Sequence, residues 1–168
     1  ESWAELLQDA LALKEDSASA LRLLELRCAW SGGSPAFQRM ARSAAKAAFT
    51  SRLGKAFVKN VGFDGNVAPA ESLRRLGVLS RLAKGRLCHE KTWGFGTVRR
   101  VDDFYERVTI DFAGKPAHEM SMAYAAETLE LISDDHLLAR LHQTPDELQA
   151  MLKEDPAEVA RITLRSYG

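Results

Sequence analysis

Lys91-Thr-Trp-Gly-Phe-Gly-Thr-Val-Arg-Arg-Val-Asp102 and Arg107-Val-Thr-Ile-Asp-Phe112 are the stretches that decide how this chain folds. In the second, Val108, Ile110 and Phe112 alternate with Arg107, Thr109 and Asp111, a period of two that gives a strand one apolar face. In the first, Val98 and Val101 stand three apart, so strict alternation fails and a β-bulge is expected near Arg99-Arg100. Asp102-Asp103 and Gly114-Lys115-Pro116 supply turns. Working outward, strands are expected over 86–90, 95–102, 107–113, 117–122 and 128–132, with a helical turn over 122–127 before the last. Five short strands in about 48 residues cannot make a large sandwich. They suit a small, strongly bent barrel of the Tudor or SH3-like kind.

Helical periodicity flanks this region. Residues 2–14 and 17–31 read as an αα-hairpin, with Trp3, Leu6, Leu7, Ala10 and Leu11 as one apolar stripe and Leu21, Leu24 and Cys28 as another. Asp16 or Ser17 caps the second helix and Gly32-Gly33 ends it. Residues 35–60 are helical, but the faces exchange. Phe37, Met40, Ala41, Ala44 and Ala48 lie opposite Arg39, Arg42 and Lys46, whereas Leu53, Ala56 and Phe57 take the earlier basic side and Arg52, Lys55 and Lys59 the earlier apolar one. One straight helix cannot bury both stripes in one core, so it breaks near Thr50-Ser51 or packs against different neighbours along its length. Residues 62–65 form a loop and 69–83 return to helix. After Ser133, helices are expected near 134–142, 145–153 and 156–166, with Thr144-Pro-Asp-Glu147 and Asp155-Pro-Ala-Glu158 as capping boxes. The expected fold class is therefore α+β: a helical domain over 1–83, a five-stranded small β-barrel over 84–133 and a helical extension over 134–168.

With 168 residues, 46% hydrophobic and 27% charged, the composition is globular. No apolar run approaches the ~20 residues of a membrane helix, which excludes an integral membrane placement of that kind. The first residue is Glu1, with neither the basic start nor the apolar core of a signal peptide, so the chain reads as a piece of a longer protein. Cys28 and Cys88 sit among apolar neighbours and read as buried free thiols in a reducing cytoplasm. The zero net charge conceals three unequal segments: −3 over 1–34, +11 over 35–100 and −8 over 101–168. Whole-chain binding to a polyanion is not favoured by that balance; a local basic surface and ordinary solvated helix faces both remain open as readings of the basic segment.

Signals for catalysis are weak. His89, His118, His136 and His142 show no metal-ligand spacing, and His136 after Asp134-Asp135 reads as a helix cap. Trp93-Gly-Phe-Gly96 opens into a strand, not a helix, so no helix dipole meets a phosphate there. Asp102, Asp103 and Glu106 crowd a hairpin turn, where turn geometry alone favours aspartate. No cofactor, metal or small-molecule substrate is expected, and no enzyme. The candidate partner-binding residues are Arg86, Lys91, Trp93, Phe95, Arg99, Arg100, Tyr105 and Arg107, cations interleaved with aromatics in the manner of protein and nucleic-acid binding surfaces. Against this, Phe95 and Phe112 would serve equally as barrel core, and Trp93 as a cover for its open end.

The run Gly85-Arg-Leu-Cys-His-Glu-Lys-Thr-Trp-Gly-Phe-Gly-Thr-Val98, followed by Val108-Thr-Ile-Asp-Phe112, resembles the G-x-x-V-x-H-x-x-F/W-G-x-G-x-V…V-x-F pattern of Tudor-like barrels. Such barrels occur in UvrD-type helicases and in the polymerase-binding module of CarD-type regulators. With Asp111-Phe-Ala-Gly-Lys-Pro116 and Met122-Ala-Tyr-Ala-Ala-Glu-Thr-Leu129, residues 84–132 are similar to the amino-terminal region of long Gre-type bacterial transcription elongation factors. That resemblance implies a cytoplasmic accessory region with RNA polymerase as partner. It does not carry over transcript cleavage, because the acidic coiled-coil tip that performs it has no counterpart in a heptad run here. Two alternatives stand beside polymerase docking: direct binding of DNA or RNA by the same barrel, and an intramolecular regulatory domain of a longer chain.

Overall fold

The computed structural model describes residues 2–14, 16–31, 34–65 and 67–167. Helices α1 (Ser2–Leu13), α2 (Ser17–Ser31), α3 (Pro35–Ala48), α4 (Arg52–Asn60) and α5 (Pro69–Ser80) precede strands β1 (Leu87–Glu90), β2 (Gly94–Asp102), β3 (Arg107–Phe112) and β4 (Lys115–Ser121). Helix α6 (Met122–Thr128) leads into β5 (Glu130–Leu131), and α7 (Leu137–Gln143), α8 (Pro145–Glu154) and α9 (Pro156–Tyr167) follow. The expected helix end at Gly32-Gly33 lies outside the described residues.

The exchange of faces in 35–60 is resolved by a break. The Ser34 hydroxyl accepts the Phe37 N–H at 3.1 Å to start α3, and the Ser51 hydroxyl accepts the Gly54 N–H at 3.0 Å to start α4. Two separate helices can each turn their apolar stripe inward: Phe37, Ala41, Ala45 and Ala48 from one, Ala56, Phe57 and Val58 from the other. At the amino end the expected stripe is wrong. Trp3, Leu6 and Leu7 are exposed, and α1 instead buries Ala4 and Gln8 with Leu11 half-covered. The small Ala4 is buried on the side of α1 that packs against α2 and α3. The Thr144 capping box is also absent: its hydroxyl donates back to the Arg140 carbonyl at 3.4 Å and makes no cap bond to α8. Asp155 does cap α9, accepting the Glu158 N–H at 3.1 Å, and the His136 imidazole caps α7 through the Leu138 N–H at 3.1 Å.

The five strands form one antiparallel sheet in the order β4-β3-β2-β1-β5. It is open, with β4 and β5 as unpaired edges. The β2–β3 register slips between Val98 and Arg100, at the bulge expected from the spacing of the valines. A second slip, between Ile110 and Phe112 on the β4 side, accompanies a positive φ of 52° at Ala117, whose N–H is taken by the Asp111 carboxylate at 2.7 Å. Behind the sheet, Cys88, Val98, Val108, Ile110, Phe112 and Met120 join Leu24, Leu73, Leu76, Leu79, Met122 and Leu129 in a single buried cluster. Each such side chain contributes roughly 1.5–3 kcal/mol of transfer free energy, so sheet and amino-terminal helices stabilise one another. Burial pushes the Cys88 thiol up to about 12. On the outward side of β1 and β2, Leu87 and Phe95 pack under Leu138 and Ala139 of α7. The rest of the outward face, along β2, β3 and β4, is left open.

Candidate interaction surface

The sequence-derived site residues fall in three places. Arg86 and Phe95 lie at the α7 side, where the Arg86 guanidinium is 3.5 Å from Asp134 and the Phe95 ring is 5.3 Å from that of His142. Phe95 is a packing residue. Trp93 covers one end of the sheet interior, with the Lys115 ammonium 4.0 Å above its ring and His118 at 4.9 Å. Burial and Lys115 together lower the His118 pKa. Glu90 is buried beneath this end, its carboxylate taking the N–H groups of Thr92 and Trp93 at 2.7 and 3.0 Å. Lys91 projects from the same turn and has no ion-pair partner among the described residues.

Arg99, Arg100, Tyr105 and Arg107 are brought together on the open face. Arg100, Tyr105 and Arg107 line an open groove of about 360 Å³ with Asp102, Thr109 and Glu119. Alternation along β3 places Thr109 and Arg107 opposite the core valines and isoleucine, and the bulge turns both Arg99 and Arg100 outward. Every one of these arginines has an acidic neighbour: Arg99 meets Asp111 at 3.7 Å, Arg107 meets Glu119 at 3.0 Å, and Arg100 pairs with Asp102. The face is mixed in charge, not basic.

At its edge the β2–β3 turn raises two aromatic rings. Phe104 and Tyr105 are 67% and 70% exposed and meet edge to face at 4.8 Å. Their backbone is nonetheless fixed. One Asp102 carboxylate oxygen accepts the N–H groups of Phe104 and Tyr105 at 3.0 and 2.9 Å, which holds that carboxyl below its usual range. Glu106, at φ 51°, accepts Lys59 Nζ at 2.7 Å and Asn60 Nδ2 at 2.9 Å, both from α4, and these bonds lower its pKa as well. Its carbonyl accepts the Met122 N–H at 2.9 Å. Arg52 of α4 reaches Asp103 at 3.4 Å and lies 5.1 Å from the centroid of the Phe104 ring. Phe104 was not among the candidate site residues, although it belongs to the same run of aromatics interleaved with arginines and follows Asp103 in the hairpin turn. The α4 residues that brace the turn gave no signal, since they lie about 47 positions away.

No family model matches the sequence, and no solved structure matches the chain. Partial relatives include the transcription elongation factor GreA of Chlamydia pneumoniae, 37% identical over 99 residues, which are 58% of this chain and 14% of the relative. The transcription elongation factor GreA of Chlamydia trachomatis serovar D is 27% identical over 116 residues, 68% of this chain and 16% of the relative. The chain thus spans only 14–16% of the length of the curated relatives it matches, and the similarity supports a partial Gre-like relationship.

Proposed function

We propose that this chain is a non-catalytic, cytoplasmic interaction region of a transcription elongation factor-like protein. It docks onto RNA polymerase through the outward β2–β4 face, and its bent sheet acts as a Tudor/SH3-like small barrel. The observation that carries the proposal is the Phe104–Tyr105 pair, two rings about two-thirds exposed on a turn braced from α4. Exposed aromatic side chains on a fixed backbone lose little conformational freedom on binding and supply the anchors that dominate protein interfaces. The alternating charges around them, Arg100 with Asp102 and Arg107 with Glu119, form a rim suited to a mixed-charge protein surface. The partial similarity to transcription elongation factors supports the choice of partner.

The test is co-elution with nuclease-treated bacterial core RNA polymerase at moderate salt, followed by titration of a labelled chain. The wild type forms a stoichiometric complex. Phe104→Ser with Tyr105→Ser weakens it about 30-fold or more, the loss expected of an aromatic hot spot worth at least ~2 kcal/mol. Arg99→Glu with Arg100→Glu weakens it as well. Unchanged affinity in both variants would show that polymerase is met elsewhere, and no complex at all would remove polymerase as the partner.

A further inference from the structure

The basic residues of α3 and α4 form a surface that docking through the sheet leaves unused. Arg39, Arg42 and Lys46 are spaced i, i+3, i+7 on α3, one stripe running ~10 Å along the helix. Lys55 and Lys59 are i, i+4 on α4. Because the chain breaks between the two helices, the two stripes converge where a straight helix would have held them on opposite sides. Lys46, Lys55 and Lys59 line one open depression of about 350 Å³, floored by Phe49 and Val58 and edged by Asp64. Within this surface Asp64 is taken by Arg42, and Lys59 is taken by Glu106. Arg39, Lys46 and Lys55 are exposed and have no acidic partner among the described residues. Here the cations outnumber the carboxylates; on the sheet face they are matched one for one.

We propose that this α3–α4 surface binds the phosphodiester backbone of a nucleic acid, without reading its sequence. A strip of cations spread over more than one helix turn matches a row of phosphates, which recur every ~3.4 Å along a strand. The depression itself has an apolar floor and only lysine ammonium groups, Lys59 being held by Glu106, so its readout is a phosphate backbone, to which Arg39 on α3 adds one further cation. The sheet and the helices then meet different partners: protein on the charge-balanced side, polyanion on the basic one.

The assay is fluorescence anisotropy of a labelled 20-base-pair DNA duplex, titrated with the 168-residue chain between 50 and 200 mM salt. Three unpaired cations set a slope of log K against log salt near −2.7, a loss of about 40-fold over that range. Lys46→Glu with Lys55→Glu lowers affinity at least tenfold at 50 mM salt and reduces the slope by about 2. Both lysines are exposed, so the melting temperature should hold; Lys46→Gln with Lys55→Gln repeats the slope change if the reversal disturbs folding. Lys84→Glu with Lys153→Glu makes the same change of net charge elsewhere and leaves the slope as in the wild type. Absence of duplex binding at 50 mM salt would overturn the proposal and leave an acidic protein as the occupant of this face. An equal loss in the Lys84/Lys153 variant would overturn it too, by showing that only net charge matters.

Discussion

Replacing Gly96 with alanine tests the packing on which the sheet depends. Gly96 is buried in β2, opposite Cys88 on β1 and Phe112 on β3. A Cβ there would lie 2.6 Å from Phe112 Cδ1, 2.9 Å from Phe112 Cε1 and 2.8 Å from Ile110 Cγ2. Carbon atoms at rest sit about 3.5–4.0 Å apart, so both side chains must retreat by roughly 1 Å. Neither has room, since Ile110 is fully buried and Phe112 nearly so. Overpacking of this kind costs about 1–3 kcal/mol, while the alanine recovers about 0.4–1 kcal/mol by restricting the unfolded chain. A net loss of about 1–2 kcal/mol corresponds to a fall in Tm of about 2–8 °C for a chain of this size. Thermal unfolding by circular dichroism measures it, with urea titration at unchanged m as the companion. Phe112→Leu trims the ring that the new methyl strikes. In that background the alanine penalty should fall by at least half, a coupling of about 0.5–1 kcal/mol. A Tm within about 1 °C of wild type, or the same penalty with leucine at 112, would refute the close approach of β2 to the Phe112 ring.

Two further outcomes follow from the ionisable groups. Hydrogen bonds from Arg74, then from Arg75, hold Glu71 at about 2, against an ordinary 4.5. A carboxyl lowered in the folded state contributes stability that is complete above the unfolded value and is lost as pH falls from about 4.5 toward 2. The shift amounts to roughly 3 kcal/mol at face value, and to about 1 kcal/mol after screening of a carboxylate one-third exposed. Urea unfolding at pH 7 and pH 3 should show a loss that Glu71→Gln reduces; a variant with the same pH dependence as wild type would refute this. Cys88, with its thiol pushed up to about 12 by burial, should resist alkylation at pH 8 until the chain is unfolded. Mass spectrometry of native and denatured samples checks it, and prompt native labelling at Cys88 would contradict the packing.

The strands were legible because their signals are local. Alternation from Val108 to Phe112 and the irregular valine spacing act within a few positions, and the structure follows them closely, while the expected Gly114-Lys115-Pro116 turn tightens to Ala113-Gly114 and Lys115 already opens β4. The amino-terminal helix was not legible. A helical wheel selects the largest apolar stripe, Trp3-Leu6-Leu7, but packing selected the side that approaches closely, Ala4 and Gln8. Thr144 shows the same limit on a smaller scale, since it ends α7 before it can start α8 and its hydroxyl follows the earlier helix. For the candidate surface, residue type was readable and direction was not. Phe95 and Tyr105 are both aromatics within four residues of an arginine in sequence, yet one lies beneath α7 and the other is 70% exposed at a turn.

The segmental charges explain the rest once the pairings are known. The +11 of residues 35–100 includes Arg52, Lys59, Arg86, Arg99 and Arg100, and the −8 of residues 101–168 includes Asp102, Asp103, Glu106, Asp111 and Asp134. Folding brings these two sets together, so the sheet and its turn consume the opposite charges of the two segments. What a linear count cannot reveal is which cations have no carboxylate within reach. Arg39, Lys46 and Lys55 precede the acidic segment, and the sheet pairings do not bring it to them, so part of the surplus of the basic segment collects on α3 and α4. The aromatic–basic interleaving that marks Lys84–Phe112 in the sequence therefore contributes only some of its residues, among them Arg99 and Arg100, to a charge-balanced face. The basic stripes of α3 and α4, which read in the sequence as ordinary solvated helix, keep Arg39, Lys46 and Lys55 unpaired among the described residues, because on a helix nothing across a strand register stands opposite them.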